Sequence, residues 1–277
     1  MKDTAMIKSN RKGKISINVA LGILSLIWLI PVLYAFVGSM KTKQEYNLTF
    51  FWDLPKQISW IENLRYIQEY SSVFQSLGNS LLYSLCGSLG AVLFALHAAY
   101  GLSTLKIRHR MFWFMIIYSG TIFPFQLYLI PVFSSYQKLG LYDTKLGLIL
   151  FYIAICIPFT MFVLRNFFMQ ISKELVEAAK IDGASDFRIL WGIFVPMAKA
   201  PLTVVFMAQF AWCFNELMFG ITFTKSNEIK PIMATISTFT ENKPAMLVAC
   251  AIASIPTITL YLILNKNFDA GMSYQSK

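Results

Sequence analysis

Between positions 165 and 199 lie nine charged residues, the basic Arg165, Lys173, Lys180, Arg188 and Lys199 and the acidic Glu174, Glu177, Asp182 and Asp186. Apolar segments long enough to cross a bilayer flank this stretch, so it must sit in water or against another protein. The chemistry it offers is ion pairing across a surface. Inside the apolar segments, polar chemistry is sparse. Glu216 is the only carboxylate there, and a lone charge in lipid costs at least ~2.5 kcal/mol. It should face the bundle interior, a cavity or the interface. With Gln209, Asn215 and Thr222 nearby, two readings stay open: a wet translocation path, or hydrogen bonds between helices and to backbone at a kink. Asn79, Gln126 and Tyr128 fit the same two readings. His97 has no second ligand at i+3 or i+4 and reads as packing between helices, so no metal site is assigned. Cys86, Cys156, Cys213 and Cys250 fall in apolar spans without CxxC spacing, as core or lipid-facing thiols. There is no GxxxxGK[ST] phosphate loop, no HExxH and no GxSxG, so no catalytic residue is assigned and the chain's energy must come from elsewhere.

The charged stretch has the makings of a defined shape. Ser172 is placed to N-cap a short helix with Glu174 in its first turn, where the helix dipole favours negative charge. Leu175, Ala178 and Ala179 give that helix a small apolar side. Asp182 and Gly183 supply a turn, since glycine adopts positive φ without steric cost. A second helix follows, with Phe187, Leu190, Trp191 and Phe194 at i, i+3, i+4 and i+7, until Pro196 ends it. Two short helices bent at a glycine form a knob, and a knob suggests a socket on a partner.

The elements that carry these residues are membrane spans. The 277-residue chain is 56% hydrophobic and only 14% charged, far from soluble averages. Six runs, 15–40, 77–105, 111–137, 146–164, 200–224 and 244–264, each meet the roughly 20 residues needed to cross a ~30 Å hydrocarbon layer as a helix. The expected fold class is an all-α integral membrane protein with six transmembrane helices. All 24 basic residues lie outside these runs, fifteen in the two termini, the loop after the second span and the 165–199 loop, nine in the alternate loops. That excess predicts cytoplasmic termini and a cytoplasmic charged loop. It also accounts for the net charge of +10 without nucleic acid. The chain accordingly divides into a cytoplasmic segment 1–14, a first span 15–40, an external loop 41–76, a core 77–264 and a cytoplasmic tail 265–277. The first apolar run is too long for a cleaved signal and stays as a span. The 41–76 segment is rich in aromatic residues and reads as lying on the membrane surface, with a short helix near 61–70. Pro31, Pro124, Pro131, Pro158 and Pro256 lie inside the runs and suit kinked helices.

The pattern Glu177-Ala178-Ala179, three residues, Gly183, nine residues, then Ile193-Phe194-Val195-Pro196 closely resembles the EAA signature of the membrane-spanning permease subunits of bacterial ABC importers. Further blocks are similar to one branch, the maltose-type carbohydrate permeases, in their shorter six-span partner. These are PVLYAFVGSMKTKQEY from Pro31, FPFQLYLIPVF from Phe123, LGLYDTKLGLIL from Leu139, IPF from Ile157, LRNFF from Leu164 and FNEL from Phe214. In that branch a segment like 41–76 precedes an Asn-Ser pair, and Asn79-Ser80 stands there. The resemblance covers the chain from about Pro31 to about Leu264. Ser172 departs from it where the branch commonly has Pro, Phe214 where it has Trp, and the C-terminal tail lacks the usual Gly-rich, Lys-containing ending.

The resemblance implies the type I ABC importer permease fold in a bacterial cell membrane. It implies a homologous second permease, two ATP-binding subunits that hold ATP and Mg, an extracytoplasmic solute-binding protein and a carbohydrate substrate. The chain itself needs no cofactor. The 165–199 loop would dock into a cleft on the ATPase, with Glu177, Ala178, Ala179, Asp182, Gly183 and Pro196 as coupling residues. Asn79, Gln126, Tyr128, Gln209, Asn215 and Glu216 are candidates for the sugar path. The alternatives are a permease for a non-sugar solute and an ion-coupled secondary transporter. The second would usually show internal repeats and more ionisable groups near midplane.

Overall fold

A computed structural model describes the backbone of residues 11–50 and 52–274 and the side chains of residues 16–50 and 52–265. The predicted segment 1–14 and tail 265–277 therefore lie largely outside the described residues. All regular structure among the described residues is helical. The chain forms two compact units, one from the residues up to Glu69 with Phe239–Ala249, the other from Tyr70–Thr238 with the residues from Cys250 onward.

In the first unit, α1 (Arg11–Met40) is exposed on every side over residues 16–33. A helix that is apolar all round suits a span surrounded by lipid. The 41–76 segment holds two helices, α2 (Lys43–Leu48) and α3 (Trp60–Tyr70), where the sequence reading expects only the second. The missed helix has a legible cause: Thr42 Oγ1 accepts from the Glu45 N–H at 3.1 Å, a Thr-x-x-Glu start. Asn63 fastens this segment to the end of α1, its Nδ2 donating to the Ser39 and Lys41 carbonyls at 3.0 Å each. The buried Lys41 ammonium donates to Thr49 Oγ1 and the Phe50 carbonyl, both at 3.0 Å.

The second unit begins with α4 (Val73–Thr104), α5 (Arg110–Ser119), α6 (Leu129–Leu139) and α7 (Lys145–Phe168). The charged stretch follows as α8 (Lys173–Ile181), α9 (Asp186–Ile189), a π-turn over Leu190–Phe194 and α10 (Val195–Met197). Then come α11 (Lys199–Asn215), α12 (Met218–Phe223), α13 (Ile232–Ile236) and α14 (Lys243–Tyr274), the last starting within the first unit. Ser76, Ser80, Ser84, Gly87, Ser88, Ala91, Ala95 and Ala99 make a buried stripe of small residues along α4. Small residues let helices approach closely where lipid gives no hydrophobic drive. A Cβ on Gly87 would stand 2.9 Å from Tyr152 Cβ and 3.4 Å from Cys213 Sγ, so α4, α7 and α11 converge there. Two of the serine hydroxyls are satisfied within the helix, Ser84 donating to the Ser80 carbonyl at 2.6 Å and Ser88 to that of Ser84 at 2.5 Å.

Four of the six predicted runs are single helices long and apolar enough to span a bilayer, within α1, α4, α7 and α14. Two are interrupted. Run 111–137 is α5 and α6 with a short 3-10 turn, Phe125–Tyr128, between them. Pro124 disfavours helix at the residue before it, while Pro131 sits in the first turn of α6 where its missing N–H costs little. Run 200–224 stops at Asn215, and α11 meets the α9–α10 stretch at an 81° bend.

Asp143 fastens the start of α7 to the segment after α12. It takes a positive φ of 58°, and its N–H donates to the Phe223 carbonyl at 3.0 Å. Its Oδ1 accepts from the Lys225 and Ser226 N–H groups at 2.6 and 2.9 Å, and its Oδ2 from the Ser226 hydroxyl at 2.5 Å. Burial pushes this carboxyl up, but the hydrogen bonds from Ser226 and Lys225 outweigh it, so it titrates below the ordinary 3.8. A carboxyl lowered on folding stabilises above its unfolded pKa and loses that contribution as pH falls through the folded value. Asp143→Asn should therefore melt roughly 2–4 °C lower than wild type at pH 7 in detergent, the shift expected of about 1 kcal/mol in a chain of this size. The difference should shrink as pH is taken below 3.8. An unchanged gap across that range would show that the charge plays no part.

Candidate functional site

The charged stretch folds into the predicted bent knob, and each bend has a local cause. Ser172 Oγ accepts from the Leu175 N–H at 3.3 Å and caps α8; Ser185 Oγ accepts from the Arg188 N–H at 3.3 Å and caps α9. Between them Gly183 adopts φ +81°. The Gly183 N–H returns to the Lys180 carbonyl at 3.0 Å and the Ala184 N–H to that of Ala179 at 2.9 Å, closing the end of α8. A Cβ at Gly183 would meet no atom within 4 Å, so the glycine is required by backbone conformation and not by crowding.

The second half of the knob departs from the predicted α-helix. Over Leu190–Phe194 the ladder widens to a π-turn, with the Val195 N–H donating to the Leu190 carbonyl. Pro196 does not end the helix; it lies in the first turn of α10. Pro196 has no N–H to offer the carbonyl four residues back, that of Gly192, so a regular α ladder cannot be completed there. The expected apolar face splits as a result. Leu190 and Phe194 are buried in the bundle, whereas Phe187 and Trp191 are 66% and 39% exposed. On α8, Val176 and Ala179 pack toward the bundle core, while Leu175 and Ala178 face outward.

What the knob presents is mixed. The carboxylates of Glu177 and Asp182 are exposed and bonded to nothing among the described residues. Beside them in sequence stands Ile181, 86% exposed. The sequence reading left out the residues that hold the knob to the bundle. Asp186 Oδ1 pairs with Lys180 Nζ at 3.1 Å and accepts from the Tyr100 hydroxyl at 3.1 Å. Tyr100 is buried on α4, with its ring edge-on to Phe194 at 5.0 Å. Phe194 in turn meets Phe168 edge-on at 4.9 Å. No sequence spacing announces a contact across 86 residues. At the end of α7, the Arg165 guanidinium lies 4.4 Å from the Phe114 ring centroid.

The polar residues of the spans are not brought together in one place. Asn79 Nδ2 donates to the Glu228 and Lys230 carbonyls at 2.8 and 3.2 Å, alongside Tyr83 donating to Ile229 at 2.6 Å. Ser80 Oγ accepts from the Ile232 N–H at 2.7 Å, and Ser76 bonds Thr235 at 2.6 Å. The N-terminal end of α4 thus holds the 228–235 segment. Gln126 and Tyr128 lie on the 3-10 turn before α6, exposed and half-buried. Gln209 is buried on α11. Asn215 is exposed and borders a cavity of about 340 Å³ together with Met233, Ile236, Cys250, Ser254 and Thr257. His97 corrects its expected packing between helices: it is exposed, with Nδ1 bonded to the Leu93 carbonyl at 2.8 Å and its ring 6.0 Å from that of Trp191. Cys156 and Cys213 are buried thiols 3.6 Å apart.

Glu216 occupies the break between α11 and α12. Its carboxylate accepts from the Phe219 N–H at 2.9 Å and the Gly220 N–H at 3.1 Å, and from the Tyr152 hydroxyl at 3.1 Å. It is a buried cap for the start of α12. Removing it strands N–H groups at roughly 1–3 kcal/mol each. Glu216→Ala should therefore melt well below wild type in detergent, with Glu216→Gln, which keeps an acceptor oxygen, between the two. Equal melting of Ala and wild type would remove the cap from the structure's supports.

The chain is similar over nearly its whole length to known proteins. Residues 5–274 match the family described as binding-protein-dependent transport system inner membrane component. The probable ABC transporter permease protein YurM of Bacillus subtilis is 32% identical over 270 residues, covering 94% of this chain and 87% of that protein. The diacetylchitobiose uptake system permease protein NgcG of Streptomyces coelicolor is 25% identical, covering 97% and 90%. The crystal structure of a bacterial ABC transporter involved in import of the acidic polysaccharide alginate contains a chain similar to this one. It aligns with a TM-score of 0.78 at 25% identity, covering 94% of this chain and 98% of that one. With nearly its whole length accounted for in sequence and in backbone, the chain belongs to the binding-protein-dependent transport system inner membrane components.

Proposed function

We propose that this chain is the membrane-spanning permease subunit of an ATP-driven carbohydrate importer in a bacterial cell membrane. It forms the sugar path with a homologous second permease and receives sugar from an extracytoplasmic binding protein. Two ATP-binding subunits, holding ATP and Mg, dock on its 165–199 knob. The observation that carries this reading is the knob itself: a turn fixed by Gly183 that leaves the carboxylates of Glu177 and Asp182 and the side chain of Ile181 outward. Carboxylates without partners suit basic groups on an ATPase, and exposed apolar residues beside them suit a socket. Ala178 leaves room for close approach, and Pro196 with the π-turn fixes where the knob rejoins α11.

Carbohydrate is favoured by the relatives. Besides the diacetylchitobiose permease, they include a xylose/arabinose import permease of Haloferax volcanii, 29% identical and covering 71% of this chain. The cavity beside Asn215 offers carboxamide and hydroxyl groups on an apolar wall, the weak and multiple contacts that a path needs if it is to release its cargo. The excess of basic residues on the knob side supports reading it and both termini as cytoplasmic.

Uptake of labelled mono- and oligosaccharides by cells with and without this gene tests the assignment, with Glu177→Ala and Gly183→Trp as further strains. Loss of one carbohydrate is expected in the deletion and in both variants, with the variant proteins still inserted and at least ~10-fold slower in uptake, a factor worth about 1.4 kcal/mol. Normal uptake by a stably inserted Gly183→Trp protein would refute the docking role. Loss of a different solute class would refute carbohydrate and leave docking intact.

A further inference from the structure

One oxygen joins three elements at the base of the knob. Asp186 Oδ1, on α9, receives Lys180 from α8 and the Tyr100 hydroxyl from α4, each at 3.1 Å. The two bonds are unequal. The lysine and aspartate side chains are about half exposed, and an ion pair in that setting holds little. Tyr100 is 4% exposed, and its hydroxyl bonds to a charged acceptor, the stronger kind of hydrogen bond. Its ring is meanwhile held edge-on by Phe194 from the far side of the knob. Tyr100 therefore grips the knob at both ends of its second helical stretch. Without that grip, the turn at Gly183 and the widened π-turn are the two places where the knob could give.

From Tyr100, α4 runs unbroken toward Ser76, a distance of about 36 Å at 1.5 Å per residue. At its other end Ser76, Asn79, Ser80 and Tyr83 bond the 228–235 segment, and Met233 and Ile236 of that region wall the cavity that also holds Asn215 and Cys250. A straight helix is thus bonded to the knob at one end and to a cavity wall at the other. We propose that Tyr100 and Asp186 are positioning residues that make the knob and α4 move as one body, so that displacement of the knob is delivered along α4 to the cavity. This rests on the docking role proposed above and adds the route by which docking reaches the path. Neither residue touches the transported solute or the nucleotide.

Cys250 gives a readout that needs no knowledge of the sugar. The assembled importer, with Cys86 replaced by alanine and its partner subunits free of cysteine, is placed in proteoliposomes. Cys250 labelling by a charged maleimide is then timed without nucleotide and after trapping with ATP and vanadate. In the otherwise wild-type protein the labelling rate should change on trapping. Tyr100→Phe and Asp186→Ala should trap nucleotide yet show that change reduced by about ten-fold or more, the loss expected when a hydrogen bond to a charged group is removed. The double variant should be no worse than Asp186→Ala alone, since that substitution already removes the bond to Tyr100.

A full wild-type change in both variants overturns the proposal, provided Gly183→Trp abolishes it. If Gly183→Trp also keeps the full change, or the unaltered protein shows none, the docking role itself fails. A loss of assembly, trapping and labelling change in equal proportion would mark the pair as merely structural and also overturn the proposal.

Discussion

At membrane depth no water is available to satisfy a broken helix, so every interruption must be repaired from within the protein. That constraint governs the break after α11, and irregular segments just outside the spans are tied down in the same way. Where α11 stops, Glu216 turns its carboxylate to the N–H groups that begin α12, and Tyr152 shares the charge. Where the chain leaves α12, Asp143 gathers the Lys225 and Ser226 amides. Where it returns toward α13, Asn79, Ser80 and Tyr83 collect the loose backbone groups between Glu228 and Ile232. The polar residues at this end of the bundle are chiefly partners for irregular backbone.

These repairs are possible because α4 is narrow on one face. A stripe of serine, glycine and alanine lets α7 and α11 come close enough for short side chains to reach neighbouring backbone. Bulkier residues there would separate the helices and leave the polar groups out of range. At the other end of the same helix the character changes: Tyr100 is large, and it meets an aromatic cluster with Phe194 and Phe168 that seats the knob.

Much of this was legible in the sequence, and what was not has physical reasons. The spans followed from hydropathy, the knob from Ser172, Asp182, Gly183 and the EAA pattern, and the helix near 61–70 from its setting. The interruption of 111–137 was signalled by Pro124, yet hydropathy integrates over a whole run and does not register a break that stays apolar. For Glu216, composition left a path and a backbone bond equally open, because which one holds depends on groups three residues on and on Tyr152, 64 residues away. The helix α2 was readable from Thr42 and Glu45 and was overlooked because the surrounding aromatics pointed to a surface segment. The joint at Asp186 was beyond reach, since no local rule pairs it with Tyr100.

The π-turn at Leu190–Phe194 has a further consequence, which concerns spacing and not composition. One extra residue in a helical turn rotates everything before it by about 100° relative to everything after it. Phe187 and Trp191 face outward while Leu190 and Phe194 stay buried, although i, i+3, i+4 and i+7 would share one face of a regular helix. The segment between Gly183 and Pro196 acts as a gear tooth count: deleting a single residue there would keep every side chain's chemistry and still clock the outward carboxylates around to the wrong side of the bundle. Its length is under as strict a constraint as any residue within it.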